Sequence, residues 1–222
     1  MIIANAKYGI EIELKENRAY SLTVEANNCF ADMAKNLYCQ NKGEEGDFYL
    51  TQNSKELKIE KYVDVIINPF AIDFNNRKIT NKLYEKLKEV ATEYDDYRAA
   101  IDTASVSFLD KITSQTPYEG ITFDLQTDIT GLLKLYHVQI DNPEGNLHES
   151  ICEYIKVLSG LTETSVLCLV DIKRYLLPWE MEQVFMQATY SKVILFLLQS
   201  GNPYSLEDEV RYIIDKDLCL IF

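Results

Sequence analysis

SVLCLVDIKRYLLPWEMEQVFMQATYSKVILFLLQSGNPYSLEDEVRYIIDKDLCLIF, residues 165–222, is the stretch on which the fold turns. It contains three dense apolar runs, residues 166–170, 193–198 and 218–222. Runs that are apolar without alternation suit strands buried on both faces. The segments between them, residues 178–190 and 205–214, read as helices. Strand, helix, strand, helix, strand is the order of parallel βαβ units, and it predicts an α/β domain built on a mainly parallel sheet.

Outside this block the first residues alternate. Ile10, Ile12 and Leu14 interleave with Glu11, Glu13 and Lys15, and Tyr20, Leu22 and Val24 repeat the pattern, with Asn17 and Arg18 between. This predicts two antiparallel strands joined by a turn. Residues 26–40 follow as a helix with Phe30, Met33, Leu37 and Tyr38 on one face and Asn27 or Asn28 at its start. Residues 48–51 and 57–59 flank Gln52, Asn53 and Ser54 as a hairpin, and residues 63–67 form a further apolar run ended by Asn68 and Pro69.

From Ile79 the period changes to three, four and seven through Leu83, Leu87, Val90, Tyr94, Tyr97, Ile101, Phe108 and Ile112, with no Gly or Pro between Asn75 and Gln115. One long amphipathic helix or two consecutive ones are expected; a continuous helix would be on the order of 50 Å long, an arm needing a partner. Shorter helices follow at residues 128–136 and 147–158, the second closed by Gly160. The layout is therefore an α/β head made of residues 1–71 and 146–222, with a helical leg inserted at residues 72–145.

A chain of 222 residues with 47% hydrophobic residues can bury a substantial core. Its 22 basic and 35 acidic residues leave a net charge of -13, which argues against nucleic-acid binding by the whole surface while leaving room for a local basic patch. Cys29, Cys39, Cys152, Cys168 and Cys219 form no CxxC pair; Cys168 and Cys219 fall in apolar runs and read as core residues. Reduced thiols and the lack of a leader-like start predict a soluble, cytoplasmic protein, and no apolar run nears the ~20 residues of a membrane span. His137 and His148 have no HxxxH or HExxH partner, so zinc is not expected.

Residues 166–171, VLCLVD, have the form of a Walker B strand ending in Asp171. None of the eight glycines lies in GxxxxGK[ST] or GxGxxG, so backbone amides to cradle a phosphate are missing from the pattern. An acid at the end of a buried strand is also common as a structural residue. No GxSxG elbow is present, and a nucleophilic site would depend on His137 or His148, which read as surface or partly packed.

Three charged groups remain. Arg77, Lys78, Lys82, Lys86 and Lys88 open the long helical stretch, with Lys78, Lys82 and Lys86 spaced as one stripe. Such a stripe can follow a phosphate backbone without reading bases; the plainer reading is a solvated face balanced by Glu85, Glu89 and Glu93. Lys173 and Arg174 form a second basic pair at a strand end. Glu119, Asp124 and Asp128 gather oxygen ligands of the kind Ca²⁺ takes, without an EF-hand pattern; a turn and a helix cap at Asp128 account for much of that cluster.

Three segments carry a family resemblance: VLCLVDIKRYLLPWEME (166–182), KVILFLLQS (192–200) and VRYIIDKDLCLIF (210–222), with DLQTDITGLL (124–133) as a weaker one. Together with the order of elements they resemble the Csn-two family, the spacer-acquisition proteins of type II-A CRISPR systems. The resemblance implies a P-loop-NTPase-like head lacking Walker A, a helical leg, and a ring-shaped homotetramer. It implies non-enzymatic, Ca²⁺-supported, sequence-independent binding of double-stranded DNA ends. The partners it implies are the CRISPR integrase subunits and the RNA-guided effector nuclease. Two other functions are weighed beside it: a divergent nucleotide hydrolase retaining Asp171, and a protein-only scaffold for nucleases.

Overall fold

The computed structural model describes residues 1–201 and 203–221. In chain order its strands and helices are β1 (Ile2–Asn5), β2 (Ile10–Glu13), β3 (Ala19–Val24), α1 (Asn27–Asn41), β4 (Phe48–Gln52), β5 (Lys55–Leu57), the single turn α2 (Ile59–Tyr62), β6 (Val63–Ile66), α3 (Arg77–Ala91), α4 (Asp95–Thr113), α5 (Ile129–Leu135), α6 (Leu147–Leu161), β7 (Val166–Val170), α7 (Pro178–Tyr190), β8 (Ile194–Ser200), β9 (Glu209–Ile214) and β10 (Leu220–Ile221). The chain divides into two compact units, Met1–Phe74 with Asn142–Phe222, and Asn75–Asp141.

The first unit is α/β. Its larger sheet has the strand order β10-β9-β3-β8-β7-β6. All its pairings are parallel except the antiparallel β9–β10 edge. All five residues of β7 and the first six of β8 are buried, as unbroken apolar runs require. A second, antiparallel sheet runs β2-β1-β4-β5. The β4–β5 hairpin turns on Asn53 and Ser54, both at positive φ (50° and 60°), the geometry a two-residue hairpin needs.

Several sequence expectations are corrected here. The segment 205–214 is not a helix: Glu209–Ile214 is strand β9, in register with β3 from Ala19↔Glu209 to Val24↔Ile214. Leu206, Val210, Ile213 and Ile214 have helical spacing, but Val-Arg-Tyr-Ile-Ile is rich in β-branched and aromatic residues, and backbone pairing with β3 decides. Second, β2 and β3 do not form a hairpin. β2 pairs with β1, whereas β3 enters the parallel sheet between β8 and β9. All six residues of β3 are buried, because Ser21 and Thr23 are small enough to lie under a covering layer. Third, Cys219 is exposed rather than in the core, while His148 is buried. Gly160 sits inside α6, which runs on to a cap at Thr162, and α1 starts from Ala26 rather than an asparagine. The last apolar run was expected to reach Phe222, which lies outside the described residues.

The second unit is helical. The long apolar period resolves into two consecutive helices, roughly 22 and 28 Å long at ~1.5 Å per residue for the 15 residues of α3 and 19 of α4. The chain breaks at Thr92–Tyr94, where Tyr94 leaves helical geometry (ψ 45°). α3 packs against α5. The two ends of the unit are tied by Asn75, whose side-chain amide donates to the Ile140 carbonyl and accepts from the Ile140 N–H, both at 2.8 Å.

Candidate nucleic-acid interface

The Asn76 side chain accepts from the Ile79 N–H at 3.1 Å and so starts α3. That start fixes the helical phase of everything after it. Lys78, Lys82 and Lys86 then fall four residues apart on one face, as a stripe. Arg77, Lys86 and Lys88 are exposed, and Lys78 and Lys82 are half-buried. Lys82 reaches Glu85 at 2.6 Å in a pair exposed on both sides. A contact of this kind is worth only about 0.3–0.5 kcal/mol and yields readily to a phosphate. Lys88 lines a cleft of about 310 Å³ with Arg98, Thr92, Gln126, Thr127 and Asp128. The sequence reading missed Arg98, an isolated cation on α4, because only the turn at Thr92–Tyr94 folds it back toward Lys88.

The acids of this unit serve the fold. Asp102 accepts the Thr127 N–H at 2.7 Å and ties α4 to the segment before α5. Hydrogen bonds from the Thr127 side chain and backbone, and then the Arg98 charge, hold its carboxyl below the ordinary value. Asp128 accepts from the Thr130 and Gly131 N–H groups at 3.1 and 2.9 Å and caps α5. Glu119 and Asp124 are exposed on the irregular stretch before it. Among the described residues no group of three or more His, Cys, Asp or Glu side chains is gathered in a way that could hold a metal ion. Glu119, Asp124 and Asp128 as arranged do not make a Ca²⁺ cage, and Asp128 is already engaged.

In the first unit the basic pair splits. Lys173 is corrected as a phosphate contact: its side chain and that of Glu209 are both fully buried and paired at 2.6 Å. Its ammonium also donates to the Tyr204 carbonyl at 2.8 Å. Burial pulls the Lys173 pKa down while Glu209 opposes the shift. The pair pins the crossover from β8 to β9, in which none of the described residues is helical. Arg174 is exposed, donates to the Ser200 hydroxyl and lies 3.3 Å from Asp171. Asp171 stands at φ 50° and accepts from the Ser200 N–H at 2.6 Å and its hydroxyl at 2.8 Å. Each carboxylate oxygen thereby takes one bond that joins the ends of β7 and β8. The buried Asp64 within the apolar run of β6 escaped the sequence reading; it accepts the Tyr154 hydroxyl at 2.9 Å. Burial pushes the Cys168 thiol up to about 12, so it is an inert core group.

These features define an α/β protein with a mixed, mainly parallel sheet and a separate helical unit whose first helix carries a lysine stripe. The chain belongs to the CRISPR-associated protein (Cas_Csn2) family, whose model matches residues 40–218. Its place is thus among CRISPR-associated proteins of antiviral defence. No curated protein sequence matches it. Among solved structures it is similar to a chain described as an ABC transporter ATP-binding protein from Pyrococcus furiosus, at 10% identity and a TM-score of 0.35, over 91% of this chain and 88% of that one. Among the described residues no helix is long and apolar enough to cross a membrane.

Proposed function

We propose that this chain acts in CRISPR spacer acquisition as a non-enzymatic protein that grips the ends of double-stranded DNA without reading sequence. The observation that carries the reading is the stripe of Lys78, Lys82 and Lys86 on α3 of a family member whose net charge is -13. Cations in a row neutralise successive phosphates, whereas a net charge of -13 repels duplex elsewhere, so contact is confined to the stripe and is strongly salt-dependent. Arg77 and Lys88, with Arg98 in the same cleft as Lys88, offer further cations on another side of α3. Four copies forming a ring would set the stripes around a hole that a duplex end can enter. The integrase subunits and the RNA-guided effector nuclease are the protein partners of this reading.

The head is proposed to be a P-loop-type sheet that has lost its phosphate loop: the junction from β3 to α1, where such a loop would stand, is only Glu25 and Ala26. Ca²⁺ enters as a counter-ion that lowers the repulsion between an acidic protein and DNA, with no cage assigned to Glu119, Asp124 and Asp128. The test is a salt titration of duplex binding. Changing Lys78, Lys82 and Lys86 together to Ala should lower the slope of log K against log salt by roughly 2.7, about 0.9 for each lost phosphate contact. An unchanged slope would show the stripe to be a solvated face, and a protein that binds partners without any duplex would be a scaffold instead.

A further inference from the structure

We infer that the cleft between α3, α4 and the segment before α5 is a pocket for a single phosphate monoester, and that it receives the terminal phosphate of a DNA end. The pocket stands on the cleft itself, whereas its assignment to a DNA end rests on the proposed function. The cleft encloses about 310 Å³ and lies wholly within the helical unit. Lys88 and Thr92 at the end of α3, Arg98 on α4, and Gln126, Thr127 and Asp128 ahead of α5 line it.

What each polar group already bonds decides what the cleft can take. The Thr92 hydroxyl donates to the Glu89 carbonyl at 2.7 Å. Thr127 gives its N–H to Asp102 at 2.7 Å, and its side chain bonds the same carboxylate. Asp128 accepts the Thr130 and Gly131 N–H groups. Among the described residues, the Lys88 ammonium, the Arg98 guanidinium and the Gln126 side-chain amide have no hydrogen-bond or ion-pair partner. The Arg98 charge reaches Asp102 only through space. The acids are thus supplied with donors, and the cations are not supplied with acceptors.

Lysine and arginine are pure donors, so the complement of this cleft is an anion made of acceptor oxygens. Two cations on different helices match a phosphate monoester, which carries roughly -1.5 to -2 near neutral pH, better than a singly charged backbone diester. The diesters of a duplex meet the Lys78, Lys82 and Lys86 stripe, which lies on another side of α3. Asp102 and Asp128 balance Lys88 and Arg98 in formal charge, so the pull on an anion is short-ranged and carried by directed hydrogen bonds. A free phosphate is then held weakly, and one delivered on a bound DNA end is held through its high effective concentration.

The full chain is tested with two probes. The first is inorganic phosphate, followed by its phosphorus NMR line width. The protein should broaden the line, and Lys88→Gln and Arg98→Gln should each remove most of the broadening with circular dichroism unchanged. No broadening, or equal broadening by the parent and both variants, would overturn the pocket. The second is blunt duplex of one sequence with either phosphorylated or hydroxyl ends. The phosphorylated duplex should bind roughly tenfold tighter, in keeping with charge-assisted hydrogen bonds to one group. Each variant should erase that difference, whereas Lys86→Gln should weaken both duplexes and keep their ratio. Equal affinity for the two ends, with phosphate still broadened, would overturn the assignment to a DNA end and leave a free anion as the ligand. Failure to bind either duplex would contradict the DNA-end reading, and the phosphate titration would then decide the pocket alone.

Discussion

At Lys173 a residue that looked like a phosphate contact is part of the frame. Removing its ammonium would strand the Glu209 carboxylate in a site closed to water. Lys173→Ala should therefore cost about 3–5 kcal/mol in chemical denaturation, and Lys173→Met with Glu209→Leu should recover most of it. Equal stability of Lys173→Ala and the parent would contradict the burial. Asp102 gives a pH prediction. Its folded pKa lies below the ordinary 3.8, so the ionised form stabilises the Thr127 contact at every pH above that value. The contribution is lost as pH falls through the lowered folded pKa. The protection factor of the Thr127 amide should collapse in that acid range in the parent and be low at all pH in Asp102→Asn. Sequence could show neither role. A Lys-Arg pair at a strand end reads the same whether the lysine turns inward or outward, and Asp102 meets Thr127 only after the chain has turned back from α4.

Among the elements, the central strands β7 and β8 were legible because unbroken apolar runs leave few alternatives. β9 was misread because a six-residue segment satisfies two periodicities, and its neighbour β3 settles the choice. The lysine stripe was legible as well, since a helical phase set by Asn76 is all it needs. The cleft with Arg98 was not, because it depends on the turn at Thr92–Tyr94. α4 poses its own question. None of its residues is buried, yet Tyr97, Ile101, Phe108 and Ile112 share one face within about 60°. A helix with an uncovered apolar stripe gains most of its stability from a partner. Phe108→Glu should lower the oligomer mass in sedimentation velocity; an unchanged mass would place the contact between copies elsewhere.

Across the molecule, the two units have different parts in this account: the α/β unit has its strand ends closed by Asp171, Ser200 and the buried Lys173 pair, and the helical unit carries the lysine stripe of α3. Family membership assigns this arrangement to CRISPR biology, and the proposed action, encircling a duplex end, makes DNA topology the decisive variable. The most direct measurement is competition between linear duplex and covalently closed circular duplex of the same sequence for the protein, in Ca²⁺ and after chelation. The account predicts that linear duplex is bound in Ca²⁺ and released by chelator, while the closed circle is not retained. Equal retention of the two forms would contradict it.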